Sequence, residues 1–343
     1  MKENYFPWHV RVEDFPRDRD LREQLLFLLR FAILAPSGHN SQPWEFSIGG
    51  NTIKIFANKE RSLAQSDPDR RQLMVSIGCA LENLLLAADY YGFKVGVDYL
   101  PEGEKQDLIS RIIIEKAGER KNDDQHLIFS IPHRCTNRNK YRDQLLPQDF
   151  LVRIKSLSTN NLIVTVVTEK KLKDAVADVV NIAQIEAMED DLFREELSHY
   201  VKSNLTMAKT GMPGFTLGMP LPISLIASRL IKKVNMSKKT MKKDDELLKL
   251  YTPVFILVSA VSDDNVSRVK AGQILERIWL MATKEGLSCA PLAAGVQVGE
   301  YYKNLQKILG LSSRPQAFLR MGYCGKSVRH SPRFYVEEVL KVN

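Results

Sequence analysis

Residues 35–46 read Ala-Pro-Ser-Gly-His-Asn-Ser-Gln-Pro-Trp-Glu-Phe, a run of small and polar side chains between two apolar stretches. Upstream, apolar residues recur at helical spacing over 21–34, predicting an amphipathic helix that stops before Pro36. Downstream, Trp44 leads into a strand, and Gly49 and Gly50 turn it into a hairpin whose second strand covers 53–56. The loop suits a flat polar ligand. Its small side chains allow close approach to the backbone, Asn40 and Gln42 each offer a donor and an acceptor, and Pro43 and Trp44 fix the exit. Residue by residue, an ordinary helix-to-strand turn followed by a core Trp fits as well.

Taken whole, APSGHNSQPWEF closely resembles the APSxxNxQPWxF loop of the flavin-dependent nitroreductase family. In that family the loop crosses a subunit interface to touch the FMN of the other subunit. The resemblance makes Pro36, Ser37, Gly38, Asn40 and Gln42 candidate cofactor residues. Further on, His133-Arg134-Cys135-Thr136-Asn137-Arg138 brings two guanidinium groups and a hydroxyl together just after Pro132. Arginine binds phosphate bidentately at any working pH, and Thr adds a short donor; a solvated basic turn is the alternative. The run resembles the family's RRSxRxF motif, which places Arg134, Thr136 and Arg138, with Cys135 between them, at its phosphate positions.

Two more stretches extend the likeness. Gly286 to Ala294 resembles the GLxxxPxxG loop that follows one edge of the isoalloxazine, making Pro291, Leu292, Ala293 and Ala294 candidates. Here Ala293 stands where an acidic residue is common, and Gly295 comes one place later than the family's Gly. Arg329 and Arg333 resemble the C-terminal basic element that completes the phosphate site.

An internal repeat organises the rest. Residues 78–93 (GCALENLLLAADYYGF) and 272–287 (GQILERIWLMATKEGL) share Gly78/Gly272, Leu81/Leu275, Glu82/Glu276, Leu86/Leu280, Ala88/Ala282 and Gly92/Gly286. Both read as long buried helices closing on a C-terminal glycine, through duplication or through the common composition of core helices. Further strands are expected near Phe93 and over 111–114, 162–167, 253–260 and 316–323, alternating with helices over 172–188, 266–285 and 301–309. The pattern is α+β, with a boundary at 123–132, giving halves 1–125 and 126–343. The loop at 35–44 occurs only in the first half and the basic motifs only in the second. A family homodimer has two of each, so the resemblance implies a nitroreductase-like fold fused as an intramolecular pseudo-dimer with one complete site. The stretch 211–236, with three glycines and three prolines before an apolar run, cannot form one regular helix. It suits a lid whose Phe215, Leu217 and Met219 cover an aromatic ligand, a surface excursion, or a membrane contact through Arg229, Lys232 and Lys233.

Composition bounds the function. The 343 residues are 44% hydrophobic and 26% charged, with net charge +8, which favours anionic partners without choosing among them. Lys232, Lys233, Lys238, Lys239, Lys242 and Lys243 form a basic segment with no aromatic residue to stack on bases, so it reads as a solvated face rather than a nucleic-acid site. Four scattered cysteines suggest neither zinc nor a disulfide framework, and the amino terminus lacks a secretory pattern; a cytoplasmic location is expected. No P-loop, GxGxxG, HExxH or GxSxG element is correctly placed, and no metal site is expected. The resemblance thus implies an oxidoreductase with non-covalent FMN, NAD(P)H as reductant and a small nitroaromatic, quinone or similar acceptor, cycling by ping-pong with no catalytic side chain. No nucleic-acid or membrane partner is expected, and the chain is a monomer or a homodimer. The alternative is a protein that stores FMN without turnover.

Overall fold

The computed structural model describes residues 2–119, 123, 125–235 and 237–341. Helix α1 (Leu21–Ala32) starts where the Asp20 carboxylate accepts a hydrogen bond from the Glu23 amide at 2.8 Å, an N-cap, and buries Leu25, Leu28, Leu29 and Phe31. After the 35–43 loop come β1 (Trp44–Gly49) and β2 (Thr52–Ala57), turned at Gly50, whose φ of +58° favours glycine. Helix α2 (Arg71–Tyr90) follows, then β3 (Phe93–Tyr99) and β4 (Leu108–Lys116). These strands form one antiparallel sheet in the order β1-β2-β4-β3.

The second half begins with α3 (Gln148–Lys155) and β5 (Leu162–Val167). A long insertion then supplies α4 (Lys170–Glu189), α5 (Asp191–Tyr200), the two-residue strands β6 (Val201–Lys202) and β7 (Met212–Pro213), α6 (Leu221–Lys233) and α7 (Ser237–Leu250). The chain closes with β8 (Val254–Ala260), α8 (Asn265–Lys284), β9 (Ser288–Pro291), the short α9 (Ala294–Gln297), α10 (Tyr301–Leu309) and β10 (Arg314–Gly322). The second sheet is also antiparallel, in the order β5-β8-β10-β9. In each sheet, therefore, the fourth strand in sequence lies between the second and the third. In each half a long helix, α2 or α8, joins the second strand to the third. The two halves share one strand topology, and the insertion between β5 and β8, with α9 and α10 between β9 and β10, distinguishes them.

The repeated helices pack against each other at their matched glycines. A Cβ on Gly78 would stand 2.0 Å from the Val269 carbonyl oxygen, and one on Gly272 would stand 2.1 Å from that of Val75. Only hydrogen fits at either place, so the backbones touch and the largest hydrophobic core spreads from this crossing to both sheets. The matched carboxylates are buried here too: Glu82 lies 2.6 Å from Arg277, and Glu276 lies 3.2 Å from Arg134. Among the described residues α2 alone is long and apolar enough to span a membrane, and it is a buried core helix.

Several expectations change. The helix expected from Gly78 starts a full two turns earlier, and α3, α5 and α7 appear where no clear helical pattern was read. Of the charged boundary stretch, 120–122 and 124 lie outside the described residues. Pro132 breaks no α-helix, because it sits inside a short 3-10 turn, Leu127–His133.

Candidate active site

The 35–43 loop leaves α1 through a strained turn. His39, Asn40 and Gln42 all have positive φ, at 49°, 57° and 53°. Each such residue without glycine's freedom costs on the order of 1–3 kcal/mol and persists only where neighbours hold it. The neighbours come from far along the chain. Asn40 Nδ2 donates to the carbonyls of Gly211 (3.0 Å) and Pro332 (3.1 Å), and its Oδ1 accepts from Arg333. Gln42 Nε2 donates to the Lys209 carbonyl at 2.7 Å, and its Oε1 accepts from the Phe334 amide at 3.1 Å. Both amides are spent on the protein itself, on backbone groups and on the Arg333 guanidinium. The expectation that they present donors and acceptors to a ligand is corrected: they are the pegs that join the first half to the 209–211 and 332–334 segments.

Pro36, Ser37, His39 and Asn40 nevertheless form one wall of a cleft of about 560 Å³, partly open to solvent. Gly38 faces away from it, into a smaller depression beside Gln72, and Gln42 is not on its wall. The opposite wall carries the basic motifs: Arg134, Cys135, Thr136, Arg138, Arg329 and Arg333 all line it. Thr136 bridges to Cys289, and the Asn137 amide donates to the Cys289 carbonyl at 2.9 Å, so the 134–138 loop lies along β9. That pairing brings it beside Pro291.

The four arginines divide into two kinds. Arg134 donates to the Leu34 carbonyl at 2.6 Å, and Arg333 donates to the Leu34 and Ala35 carbonyls at 3.1 and 3.0 Å. These carbonyls follow the end of α1, where a helix leaves acceptors without partners and carries partial negative charge. Both guanidiniums are buried, Arg134 against Glu276 and Trp279, Arg333 over Trp8. They clamp the two halves together and lend the cleft floor positive charge. Arg138 has a looser role, with one Nη1 bond of 3.1 Å to the Thr216 carbonyl, and Arg329 is exposed, its guanidinium 4.0 Å over the Phe215 ring. These two present charge to the cleft.

The loop after β9 contributes less than its motif suggested. Pro291 lines the cleft, but the Leu292 amide donates to the Phe318 carbonyl at 2.9 Å and its side chain packs into a second hydrophobic cluster. Ala293 sits at the start of α9, and neither it nor Ala294 lines the cleft. The 211–219 stretch is tied down rather than loose. The Gly211 amide donates to the Asn40 carbonyl at 3.2 Å, and Asn204 takes the Phe215 amide at 2.6 Å and gives to the Met219 carbonyl at 3.1 Å. Met212 and Thr216 line the cleft, whereas Leu217 and Met219 pack on a small satellite core.

Trp8, His39, His330 and Ser331 were missed by sequence reasoning. Trp8 stacks on His330 with ring centroids 3.9 Å apart and donates to the Ser331 carbonyl at 2.8 Å. No periodicity links residues at opposite ends of a chain. Burial depresses both cleft imidazoles, His39 to about 4 and His330 to about 3, the second helped by Arg134 and Arg333. Both are therefore neutral at neutral pH. Burial pushes the Cys135 thiol up, so it is no thiolate.

None of the cleft-lining residues is acidic, while four are arginines. Nδ1 of His39 and of His330, and Nε of Arg333, are buried without a hydrogen-bond partner. A cleft that is basic and holds unspent polar atoms suits an anionic ligand. A phosphorylated flavin such as FMN fits that description.

Residues 155–323 match the model of the nitroreductase family. A Mycobacterium tuberculosis H37Rv protein named "Putative NAD(P)H nitroreductase Rv3131" is 23% identical over 304 residues, covering 88% of this chain and 85% of its own. "Probable NAD(P)H nitroreductase PigM" of a Serratia strain is 22% identical over 332 residues, 91% of each. Among solved structures, the FMN-dependent nitroreductase NfnB of Mycobacterium smegmatis, in complex with NADPH, aligns over 62% of this chain and 96% of its own at TM-score 0.41 and 17% identity. The matched region takes in the whole second sheet, its insertion and α8, so residues 155–323 form a nitroreductase-family domain, and the relatives extend the likeness through the first half.

Proposed function

We propose that the chain is an FMN-dependent NAD(P)H oxidoreductase acting on nitroaromatic, quinone or similar small acceptors. In this reading halves 1–125 and 126–343 form a single-chain pseudo-dimer around one flavin. The observation that carries it is the cleft itself, where the 35–40 loop of one half meets the 134–138 loop of the other around four arginines and no carboxylate. The names of the relatives supply the reductant and the acceptor class.

Bound flavin would supply the hydride and electron transfer in alternating half-reactions. The residues of this chain would bind and orient it. Arg138, Arg329 and Thr136 are placed to hold the phosphate by charge-assisted hydrogen bonds, with Arg134 and Arg333 adding field from below. The same positive field would favour an anionic reduced ring. His39 and His330, being neutral, each offer an unpartnered Nδ1 without adding charge. Pro291, Met212 and the Trp8–His330 stack give the apolar surface that keeps water from a flat ring. No side chain need move a proton in the rate-limiting step.

Stopped-flow mixing of the FMN-loaded protein with NADH or NADPH tests the reading. Rapid bleaching of the oxidised flavin absorbance, followed by its return when a quinone or nitroaromatic is added, is expected. Persistence of the oxidised spectrum with both nucleotides would instead favour a flavin-storing protein.

A further inference from the structure

Helix α6 is built inside out. Its residues Ser224 and Ala227 are buried, and Ser228 donates to the Ser198 carbonyl at 2.8 Å, so small and polar side chains face the protein. The large apolar ones face outward: Leu221, Ile223, Leu225, Ile226 and Leu230 are all exposed, Leu225 at 57% and Ile226 at 55%. A helix on a globular surface normally shows the opposite arrangement. The loop after β6 adds to the patch. Asn204 pins it to the first turn of α6, its amide donating to Ser224 Oγ at 3.0 Å, and the neighbouring Leu205 and Met207 are exposed.

The charges carried by the helix itself are of one sign. The sequence Leu221–Lys233, LPISLIASRLIKK, contains no acidic residue. Arg229, Lys232 and Lys233 lie towards its C-terminal end and are exposed, Lys232 pairing with Glu195 of α5. Apolar first turns followed by a basic last turn, on a helix about 20 Å long, match what lies in the plane of a lipid interface, with lysine and arginine stems reaching for headgroups. The whole chain carries +8. A second copy would bring the same basic face against its own likeness, whereas an anionic bilayer complements both the charge and the apolar row.

We infer that α6 and the 205–207 loop form a docking surface for anionic phospholipid bilayers. The helix lies flat, Leu221, Ile223, Leu225 and Ile226 enter the acyl boundary, and Arg229 and Lys233 meet the phosphates. This departs from the expectation, drawn from the sequence, of no membrane partner. It is independent of the flavin reading.

Co-sedimentation of the full chain with sucrose-loaded vesicles decides it, using phosphatidylcholine with and without a third of phosphatidylserine. Binding to the anionic vesicles at least about tenfold tighter than to neutral ones is expected, weakening at high salt, and Lys233→Gln should lower it about fivefold. Ile226→Asp should abolish it while leaving the circular dichroism spectrum and thermal midpoint nearly unchanged, since Ile226 is mostly exposed. Absence of binding to anionic vesicles, or equal binding by Ile226→Asp, overturns the inference. So does light scattering that shows a dimer in the wild type and a monomer in Ile226→Asp, which would assign the face to a second copy.

Discussion

Arg134 and Arg138 are four positions apart on one basic loop and serve different ends. Arg134 is buried against Glu276 and the end of α1, so Arg134→Ala leaves a buried carboxylate without its cation. Its unfolding free energy in urea should fall by about 3–5 kcal/mol. Arg138 is held by a single carbonyl, so Arg138→Ala should barely move stability but should weaken FMN by about ten- to a hundredfold, the worth of one charge-assisted bond of about 1.5–3 kcal/mol. Riboflavin, which has no phosphate, should bind the variant as it binds the wild type. Sequence could name both residues but could not divide them, because only burial shows which guanidinium is already spent. The same holds for Asn40 and Gln42, expected to face a ligand and found holding the 209–211 and 332–334 segments. A neutral buried imidazole adds a pH signature. The unfolded chain takes up a proton at His330 below about 6.5, while the folded one refuses it until about 3, so stability is lost as pH falls through that window. Between about pH 7 and about pH 5 the wild type should lose about 2 kcal/mol more than His330→Gln in urea titrations. An equal loss in both proteins would place the imidazole in solvent.

The elements that sequence placed best are those with a strong period and a clear stop. The hairpin at Gly49 and Gly50, α1, the strand β5 and the long helix α8 stand where apolar spacing put them, while α2 starts two turns earlier. What the repeat could not show was that α2 and α8 touch, and touch at the repeated glycines. Gly78→Ala must push a methyl group into a backbone carbonyl with no side chain to yield. A loss of at least about 2 kcal/mol is expected by thermal or urea unfolding. Gly96→Ala on β3 is the control, since a Cβ there meets nothing within 4 Å and it should be close to neutral. The insertion between β5 and β8 was the least legible part. Its helices α5 and α6 pack through small and polar residues on each other and on short strands, so hydrophobic periodicity points to the wrong face. The segment proposed as a lid does reach the cleft, through Met212 and Thr216, but as a fastened wall.

Across the whole molecule, the strand order of the first sheet recurs in the second, and the flanking helices recur with it. Short motifs revealed the asymmetry of the site, since each lies in one half only, but its assembly depends on contacts from Trp8 to Arg333 that no local pattern encodes. The central claim is that this junction holds one phosphorylated flavin per chain. Isothermal titration of flavin-free protein with FMN, repeated with riboflavin and with Arg138→Ala, tests it most directly. The account predicts one FMN per chain, and in Arg138→Ala an affinity loss confined to FMN. Two flavins per chain, no binding, or an equal loss for FMN and riboflavin would contradict it.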